Sequence, residues 1–309
     1  MSEIASSTPV AGETEDRDGL QPATPLRAGT LYVVATPIGN MGDLSPRARE
    51  VLGSVALVAA EDTRHAGQLL TRVGISARLV SLHEHNEAQR VDEIIGRLRS
   101  GDSVALVTDA GTPLISDPGY RLIAALRAAG LPASPVPGPC AAIAALSVAG
   151  LPTDRFFFEG FLPARSAARL ARLRALAGRA ETLVFYEAAN RMADTLADAL
   201  AVFGPGRAVA VGRELTKLHE TVYRGSLAEV RAALLADPGG NRGECTWVLA
   251  GQGEAPAADD AELARVVGIL AAELPASQAA SLAARITGAP RKAAYRLASG
   301  RPDGPLQDD

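Results

Sequence analysis

Residues 104–119 read VALVTDAGTPLISDPG, and this stretch indicates the fold class. Its first four residues form a short apolar run, typical of a buried strand, that stops at Asp109 and Gly111. The Pro-Gly pair at 118–119 then opens a segment with helical spacing over 120–129. A strand, a polar turn and a helix in this order form the repeating unit of an α/β fold with a mainly parallel sheet.

The same alternation continues on both sides of this stretch. Short apolar runs predict further strands at 31–35, 55–60, 79–81, 155–158, 182–186, 208–211 and 246–250. Helical spacing predicts helices from Ser45-Pro46 onward and at 91–98, 166–177 and 190–202. We therefore expect two α/β domains, at 29–148 and 149–254. A polar tail at 1–28, expected to be disordered, precedes them, and a helical extension at 255–309 with a turn at 287–290 follows.

The composition excludes several classes of protein. The chain has 309 residues, 47% hydrophobic and 21% charged, which suits a globular protein. Two cysteines are too few for a disulfide framework or a multi-cysteine zinc site. We find no apolar run that spans a membrane and no signal-peptide pattern, so we expect a cytoplasmic protein. The net charge of −4 argues mildly against nucleic-acid binding, although local basic surface decides such contact.

Polar or glycine-rich clusters follow most of the predicted strands. They lie at 36–40, 61–65, 83–86, 108–119, 137–141, 186–191, 213–217 and 245–247. Ligands of open α/β sheets bind beyond the carboxyl ends of the strands, so these clusters contain the candidate site residues. Each cluster taken alone is explained more simply by ordinary turn and helix-cap chemistry, and only the clusters together favour a site.

The clusters argue against three common kinds of ligand site. His83 and His85 suit one face of a strand, but no third ligand stands at a standard spacing, so we expect no metal. The turn at 37–42, PIGNMG, lacks the Gly-x-Gly-x-x-Gly pattern of a dinucleotide site. A phosphate-binding loop ending in Gly-Lys-Ser or Gly-Lys-Thr is also absent. The glycine turns suit a ligand that backbone atoms approach closely.

Taken together, the motifs resemble the tetrapyrrole-methylase superfamily, and within it the bacterial ribosomal RNA ribose 2′-O-methyltransferases. The matching segments are LYVVATPIGN at 31–40, AEDTR at 60–64, SLHEHNE at 81–87, VTDAGTP at 107–113, ISDPG at 115–119, PGPCA at 137–141 and FYE at 185–187. The C-terminal helices resemble the small helix-turn-helix extension of this group. Only the acidic N-terminal tail lies outside the pattern.

This resemblance implies two α/β domains with S-adenosylmethionine (SAM) bound in the cleft between them, usually in a homodimer. The donor-binding residues carried over by position are Pro37, Asp109, Ala110, Gly111, Ile115, Ser116, Cys140, Ala141, Tyr186, Leu215 and Thr246. The resemblance puts residues 109–111 near the methionine part and the sulfonium, and the last three residues near the adenosine. For Ile115, Ala141 and Leu215, an ordinary core role fits the sequence as well.

The reaction implied is methylation of a cytidine ribose hydroxyl in the 16S RNA of the small ribosomal subunit. A base within hydrogen-bond reach would activate this weak nucleophile, and the candidates are Glu61, His85 and Glu187. Arg64 and Lys217 are candidates for holding RNA phosphate. Two basic sets are further candidates: Arg165, Arg169, Arg172 and Arg174, and Arg285, Arg291, Lys292 and Arg296. A solvated helix face in an arginine-rich sequence has the same pattern.

Two other functions remain compatible with the motifs. A methyltransferase acting on a tetrapyrrole precursor would share the fold and the donor, and a non-catalytic RNA-binding relative would share the fold alone. The intact DAGTP turn at 109–113 argues against the non-catalytic relative. The TPIGN, EDTR and HEHN motifs and the basic C-terminal helices argue against the tetrapyrrole enzyme.

Overall fold

The computed structural model describes residues 25–83, 86–252 and 260–299. The chain divides into two compact units, the first ending at Cys140 and the second starting at Ala141. This division precedes the expected domain start at residue 149, because the helix that begins at Ala141 belongs to the second unit. Most of the expected tail lies outside the described residues. Near its end, the backbone N–H of Arg27 donates to the Tyr32 hydroxyl at 2.7 Å.

Five parallel strands form the sheet of the first unit. They are β1 (Leu31–Val34), β2 (Leu57–Ala60), β3 (Leu79–Ser81), β4 (Val104–Val107) and β5 (Ala133–Val136). The order across the sheet is β3-β2-β4-β1-β5, and every neighbouring pair is parallel. The described helices of the unit are α1 (Pro46–Ser54), α2 (Thr63–Arg72), α3 (Glu87–Arg99) and α4 (Tyr120–Ala128), with a short 3-10 helix at Met41–Asp43. The expected parallel α/β architecture is confirmed.

The central strands of this sheet are buried on both faces, as their continuous apolar runs predict. Val58 and Ala105 pack on one face with residues of α1 and α2. Leu57 and Leu106 pack on the other face with residues of α3 and α4. Side chains of a strand alternate between the two faces, so one apolar run fills two cores.

The strand β5 is not predicted from the sequence. Pro135 lies within it and pairs in register with Val33. Proline cannot donate a ladder hydrogen bond, and it is tolerated here because β5 is the edge strand of the sheet. The prolines of this segment therefore mark an edge strand as well as the stiff segment that they predict.

The second unit contains a mixed sheet. Its strands are β6 (Phe156–Phe161), β7 (Thr182–Ala188), β8 (Ala208–Arg213), β9 (Thr221–Ser226) and β10 (Glu244–Leu249), in the order β6-β7-β10-β8-β9. β6 and β7 are parallel, and the other three pairs are antiparallel. The described helices beside the sheet are α5 (Ala141–Ala149), α6 (Ser166–Leu176), α7 (Ala189–Phe203) and α8 (Leu227–Ala236).

The two faces of the second sheet differ in what covers them. Phe185 and Trp247 lie on one face, where their rings stack at 4.1 Å and pack with residues of α6, α7 and α8. The opposite face holds Tyr186 and Thr246, their neighbours along the strands. The helix α5 contacts β7, β8 and β10, and its Ala142 N–H donates to the Tyr186 hydroxyl at 3.3 Å.

Three elements of this unit are not predicted from the sequence. β9 is an edge strand of partly buried residues, TVYRGS, without an apolar run. α5 is almost uniformly apolar and shows no amphipathic period. α8 begins at a capping box formed by Ser226 and Glu229, a signal that the sequence contains.

Three helices form the C-terminal extension: α9 (Asp260–Glu273), α10 (Ala276–Thr287) and α11 (Arg291–Ser299). They share a small core that includes Leu263, Val267 and Ala294. Gly288 ends α10 in the left-handed conformation, with φ of 74°, and the predicted turn at 287–290 is confirmed. Among the described residues, no helix is long and apolar enough to cross a membrane.

Candidate functional site

The turn after β4 is joined by hydrogen bonds to the end of β1. The Thr36 N–H donates to Gly111 O at 2.9 Å, and the Gly111 N–H donates to Thr36 O at 3.0 Å. The φ of 80° at Gly111 favours glycine. Asp109 and Ala110 are exposed while Gly111 is buried. The bridge therefore holds two exposed residues at the carboxyl edge of the sheet.

The segment 137–140 lies beside this turn. Thr112 Oγ1 donates to Pro139 O at 3.0 Å. A Cβ on Gly138 would lie 3.0 Å from the Cβ of Ala35, so the backbone approaches the end of β1 closely. Pro37 and Cys140, both half-buried, are at this edge of the first unit. The first unit thus brings Pro37, Cys140 and the residues of the β4 turn to one edge.

Three carboxylates lie at the same edge. The Asp109 N–H lies 3.5 Å from Glu61 Oε2, and Asp109 Oδ2 lies 3.1 Å from His65 Nδ1. Burial raises the pKa of Asp117 to about 6, and the negative charges of Glu61 and Asp109 contribute to this rise. The cluster creates a negative potential that favours a cationic ligand.

The segment between the β4 turn and α4 is strained. Leu114 and Ser116 have φ of 74° and 67°, in the left-handed region that such residues rarely adopt. Ile115 between them is 37% exposed. Gly119 has no side chain to cap α4, and the buried Glu87 of α3 replaces it by accepting from the Leu122 N–H at 3.1 Å. Strained residues of this kind cluster at ligand sites.

Arg64 lies near the carboxylate cluster and pairs with the cap of its own helix. Asp62 caps α2 by accepting from the Arg64 N–H at 2.8 Å, and the Arg64 side chain folds back to pair with the same carboxylate. This pairing holds the pKa of Asp62 well below its usual range. The Arg64 side chain is 84% exposed, so RNA phosphate could still reach it. Glu84 and His85, the latter a candidate base, lie outside the described residues.

Three of the four predicted donor residues of the second unit, Tyr186, Leu215 and Thr246, lie in or beside a row that crosses three strands. Thr246 of β10 pairs in register with Tyr186 of β7 on one side and with Gly212 of β8 on the other. Residues directly opposite each other in an antiparallel sheet point to the same face. Leu215 lies against Gly212, where an added Cβ would be 2.8 Å from Leu215 Cδ2. The structure thus brings Tyr186, Leu215 and Thr246 together.

Glu187 lies on the opposite face of this sheet from Tyr186. Its carboxylate accepts from Thr195 Oγ1 at 2.8 Å and from the Ala188 N–H at 3.0 Å, and Arg191 Nε is 3.2 Å away. The side chain has no solvent exposure. These partners give Glu187 a structural role in this unit.

Lys217 is paired with two carboxylates of its own unit. Its Nζ donates to Glu214 Oε1 at 2.8 Å and to Glu244 Oε2 at 2.9 Å. Burial alone would lower the pKa of Lys217, but these two hydrogen bonds outweigh it and raise the pKa. An RNA phosphate would have to compete with both pairs.

The arginines at 165–174 are only in part a basic surface. Arg169 is 4% exposed and pairs with Asp198 at 2.7 Å, so its expected contact with RNA phosphate is wrong. Arg172 pairs with Glu159, while Arg165 and Arg174 are exposed. In the extension, Arg285, Arg291, Lys292 and Arg296 are all exposed.

Sequence reasoning missed four residues of these sites. Asp117 and His65 stand in quoted clusters but were not selected, and only their positions relative to Asp109 single them out. Gly138 and Gly212 lack a Cβ, which allows Ala35 and Leu215, respectively, to approach closely. Within the described ranges, no group of three or more His, Cys, Asp or Glu side chains has a geometry that could hold a metal ion.

Comparison with known proteins identifies the family. Residues 30–231 match the family of Tetrapyrrole (Corrin/Porphyrin) Methylases, and residues 257–300 match the RsmI C-terminal HTH domain. The chain therefore belongs to the tetrapyrrole methylase family, as the motifs indicate. The second match covers the three-helix extension.

Several similar proteins bear the name ribosomal RNA small subunit methyltransferase I. The protein of Xylella fastidiosa strain Temecula1 is 54% identical over 86% of this chain and 98% of its own length. That of Pseudomonas aeruginosa is 51% identical over 88% and 98%, and that of Escherichia coli O157:H7 is 48% identical over 87% and 94%. The relatives are thus matched over nearly their whole length.

Solved structures show the same fold. Uroporphyrin-III-C-methyltransferase from Thermus thermophilus has a TM-score of 0.51 and 25% identity, over 72% of this chain and 94% of that protein. A cobalamin biosynthetic enzyme, cobalt precorrin-4 methyltransferase, has a TM-score of 0.55 and 17% identity, over 72% and 95%. The second likeness concerns the fold alone.

Proposed function

We propose that this chain transfers a methyl group from SAM to the 2′-oxygen of a cytidine ribose in the 16S RNA of the small ribosomal subunit. The observation that carries the proposal is the 48–54% identity to relatives named ribosomal RNA small subunit methyltransferase I. The matched C-terminal HTH domain supports an RNA acceptor over a tetrapyrrole. Since bacterial ribosomal subunits are cytoplasmic, we propose the cytoplasm as its location.

The residues of the first unit fit a cationic donor. Glu61, Asp109 and Asp117 supply negative potential at the edge where Asp109 and Ala110 are exposed. The bridge between Thr36 and Gly111 fixes these backbone groups in advance. A rigid, preformed loop binds a ligand at a lower entropic cost than a flexible loop.

We assign donor binding to residues of both units. In the first unit they are Pro37, Asp109, Ala110, Gly111, Ile115, Ser116 and Cys140, and in the second unit Ala141, Tyr186, Leu215 and Thr246. Bound SAM supplies an electrophilic methyl carbon. The residues of the chain then need to hold the ribose oxygen in line with it, at about 3–3.5 Å.

Among the candidate bases, Glu61 has the best support. Its Oε2 is 3.5 Å from the Asp109 N–H, so the carboxylate lies beside the turn at 109–111, which we assign to donor binding. A carboxylate here would accept the proton of the ribose hydroxyl as the carbon–oxygen bond forms and the carbon–sulfur bond of SAM breaks, which releases S-adenosylhomocysteine. The partners of Glu187 within the sheet favour a structural role for it. His85 stays a candidate outside the described residues.

The C-terminal extension is the proposed RNA contact. Residues 276–299 contain Arg285, Arg291, Lys292 and Arg296 and no Asp or Glu, although the whole chain has a net charge of −4. A local excess of exposed cations binds the phosphate backbone through release of counterions. Arg64, which is exposed, is a further phosphate contact in this proposal.

A homodimer also stays a prediction, and light scattering of the purified protein would test it.

A comparison of three acceptors tests the proposal. Parallel samples contain the protein, methyl-labelled SAM and one acceptor each: unmethylated small subunits, free 16S RNA or uroporphyrinogen III. Label in the RNA of either sample supports the proposal. Label in the tetrapyrrole contradicts it, as does the absence of label in every sample when calorimetry shows SAM binding. The variant Asp109→Ala, which changes the turn that we assign to SAM binding, serves as the control.

A further inference from the structure

The turn between β8 and β9 holds two strained residues, one on each side of Leu215. Glu214 and Thr216 have φ of 52° and 67°. Residues with a Cβ adopt this left-handed conformation rarely, and they keep it only where surrounding contacts over-determine it. The contacts that keep Glu214 and Thr216 in this conformation therefore also fix the position of Leu215 between them.

The contacts of Glu214 join the turn to the start of β10. The Glu214 N–H donates to Glu244 O at 2.9 Å, and Glu214 Oε1 accepts from the Glu244 N–H at 3.0 Å. Gly243, with φ of 87°, leaves space for the Glu214 carboxylate, into which a Cβ at 243 would collide. The first strained residue is thus fixed to β10 through its backbone and its side chain.

Lys217 closes the turn from its other end. Its N–H donates to Glu214 O at 3.0 Å, and its Nζ reaches both Glu214 Oε1 and Glu244 Oε2. The Thr216 N–H donates to Glu220 Oε2 at 2.6 Å. One ammonium group therefore bridges the turn to the strand that carries Thr246.

Leu215 is the residue that this network presents. It is 9% exposed and lies against Gly212, on the face of the sheet that holds Thr246 and Tyr186. A leucine flanked by two strained residues has little freedom to leave this position while the network is intact. A released turn would let Leu215 move away from the row.

We propose that Lys217 is a positioning residue that holds Leu215 on the Tyr186–Thr246 face, where these three residues bind the adenosine of the donor. The inference rests on the proposed function, because it takes that face as part of the SAM site. It replaces the role of Lys217 in holding RNA phosphate. The two roles of Lys217 predict different effects of Glu244. If Lys217 positions Leu215, Glu244 strengthens SAM binding as a partner of the lysine. If Lys217 holds RNA phosphate, Glu244 competes with the phosphate and weakens RNA binding.

The test uses Lys217→Met in the full chain, with Arg155→Met as the matched control, because the Arg155 side chain is 82% exposed and precedes β6, at the other edge of the sheet from β9. Calorimetry should give a Kd for SAM about tenfold higher in Lys217→Met, because binding would then have to restore the turn geometry that the two charge-assisted hydrogen bonds fix in advance. Hydrogen exchange of the ligand-free protein should show faster exchange at the amides of Thr216 and Lys217. The salt dependence of RNA binding should not change.

Glu244→Ala provides the second variant, with Glu181→Gln as its control, since Glu181 pairs with Arg179 at 3.5 Å. We expect weaker SAM binding and unchanged RNA binding in Glu244→Ala, and partial recovery of SAM binding in Lys217→Arg relative to Lys217→Met. The inference is overturned if Lys217→Met binds SAM within twofold of the unchanged protein, or if Glu244→Ala binds RNA more tightly. If Lys217→Met does not fold, Glu244→Ala decides. If the unchanged protein itself binds no SAM, the proposed function fails first.

Discussion

Gly212 and Leu215 are in close contact across the turn that follows β8, where a Cβ at 212 would lie 2.8 Å from Leu215 Cδ2. Gly212 pairs with Thr246, and Thr246 pairs with Tyr186, so the contact adds Leu215 to a row that crosses three strands. Leu215 reaches this position only because residue 212 has no side chain. The row is the part of the second unit that the proposed function assigns to the adenosine.

Gly212→Ala should therefore weaken SAM binding. The added methyl group displaces Leu215, and overpacking of this kind costs about 1–3 kcal/mol, which corresponds to roughly 5- to 150-fold in Kd when the strain falls on the bound geometry. Calorimetry with SAM measures the change. Gly206→Ala is the control, because an added Cβ there meets no atom within 4 Å. Equal SAM affinity in the two variants would show that Leu215 does not contribute.

Asp117 should make the stability of the first unit depend on pH. Its pKa in the folded protein is about 6, above the ordinary aspartate value of 3.8, so the folded state binds the proton more tightly than the unfolded state does. The contribution to stability is present below pH 4 and is lost as the pH rises to about 6. We expect a loss of about 1–2 kcal/mol, allowing for solvent screening of a half-buried group.

The comparison with Asp117→Asn isolates this effect. Hydrogen exchange at β4 amides, corrected for the intrinsic rate, gives the free energy of opening between pH 4 and pH 7. The difference between the two proteins should shift in favour of the variant as the pH rises from 4 to 6, and stay constant above that. A difference that does not change over this window would contradict the raised pKa.

Glu87→Leu should loosen the start of α4. Leucine fits a buried site but leaves the Leu122 N–H without its acceptor, and losing such a cap costs about 1–2 kcal/mol. Faster hydrogen exchange in the first turn of α4 would measure the loss. Glu87→Gln retains an acceptor oxygen and should lose less. If both variants exchange like the unchanged protein, Glu87 does not cap the helix.

Replacing two cations of α11 should reduce the salt dependence of RNA binding. For Arg291→Gln with Lys292→Gln, the slope of log K against log salt should fall by about 1.5, since each phosphate contact contributes about 0.7–0.9. Filter binding to 16S RNA between low and moderate salt gives the slope, and SAM binding should not change. Arg265→Gln is the control, because Arg265 pairs with Glu262 on α9. An unchanged slope would remove α11 from the RNA contact.

Much of the fold can be predicted from the sequence, because apolar runs such as the one in β4 record burial directly. The misses have physical reasons. β5 contains a proline that only its edge position permits, and β9 has polar residues because one of its sides has no partner strand. Edge strands depend on what lies beside them, and a single sequence does not contain that information.

The site residues divide in the same way. Asp109 and Gly111 can be selected from the sequence through the resemblance of the VTDAGTP motif at 107–113 to the family, whereas a polar glycine turn taken alone also fits ordinary turn chemistry. The partners of Lys217 and Glu187 could not be predicted, since Glu244 and Thr195 become neighbours only through strand pairing and helix packing. The charge of a side chain indicates a candidate residue in the sequence. Its role depends on the partners that folding brings next to it, and on the face of the sheet to which it points.

The central claim is best tested by locating the transferred methyl group. Unmethylated small subunits are incubated with the protein and methyl-labelled SAM, and the purified 16S RNA is hydrolysed in alkali, which requires a free 2′-hydroxyl to cleave each bond. The account predicts that the label is found in one alkali-resistant dinucleotide whose first residue is a cytidine, as identified by mass spectrometry. Label in alkali-released mononucleotides would mean methylation of a base and would contradict the account.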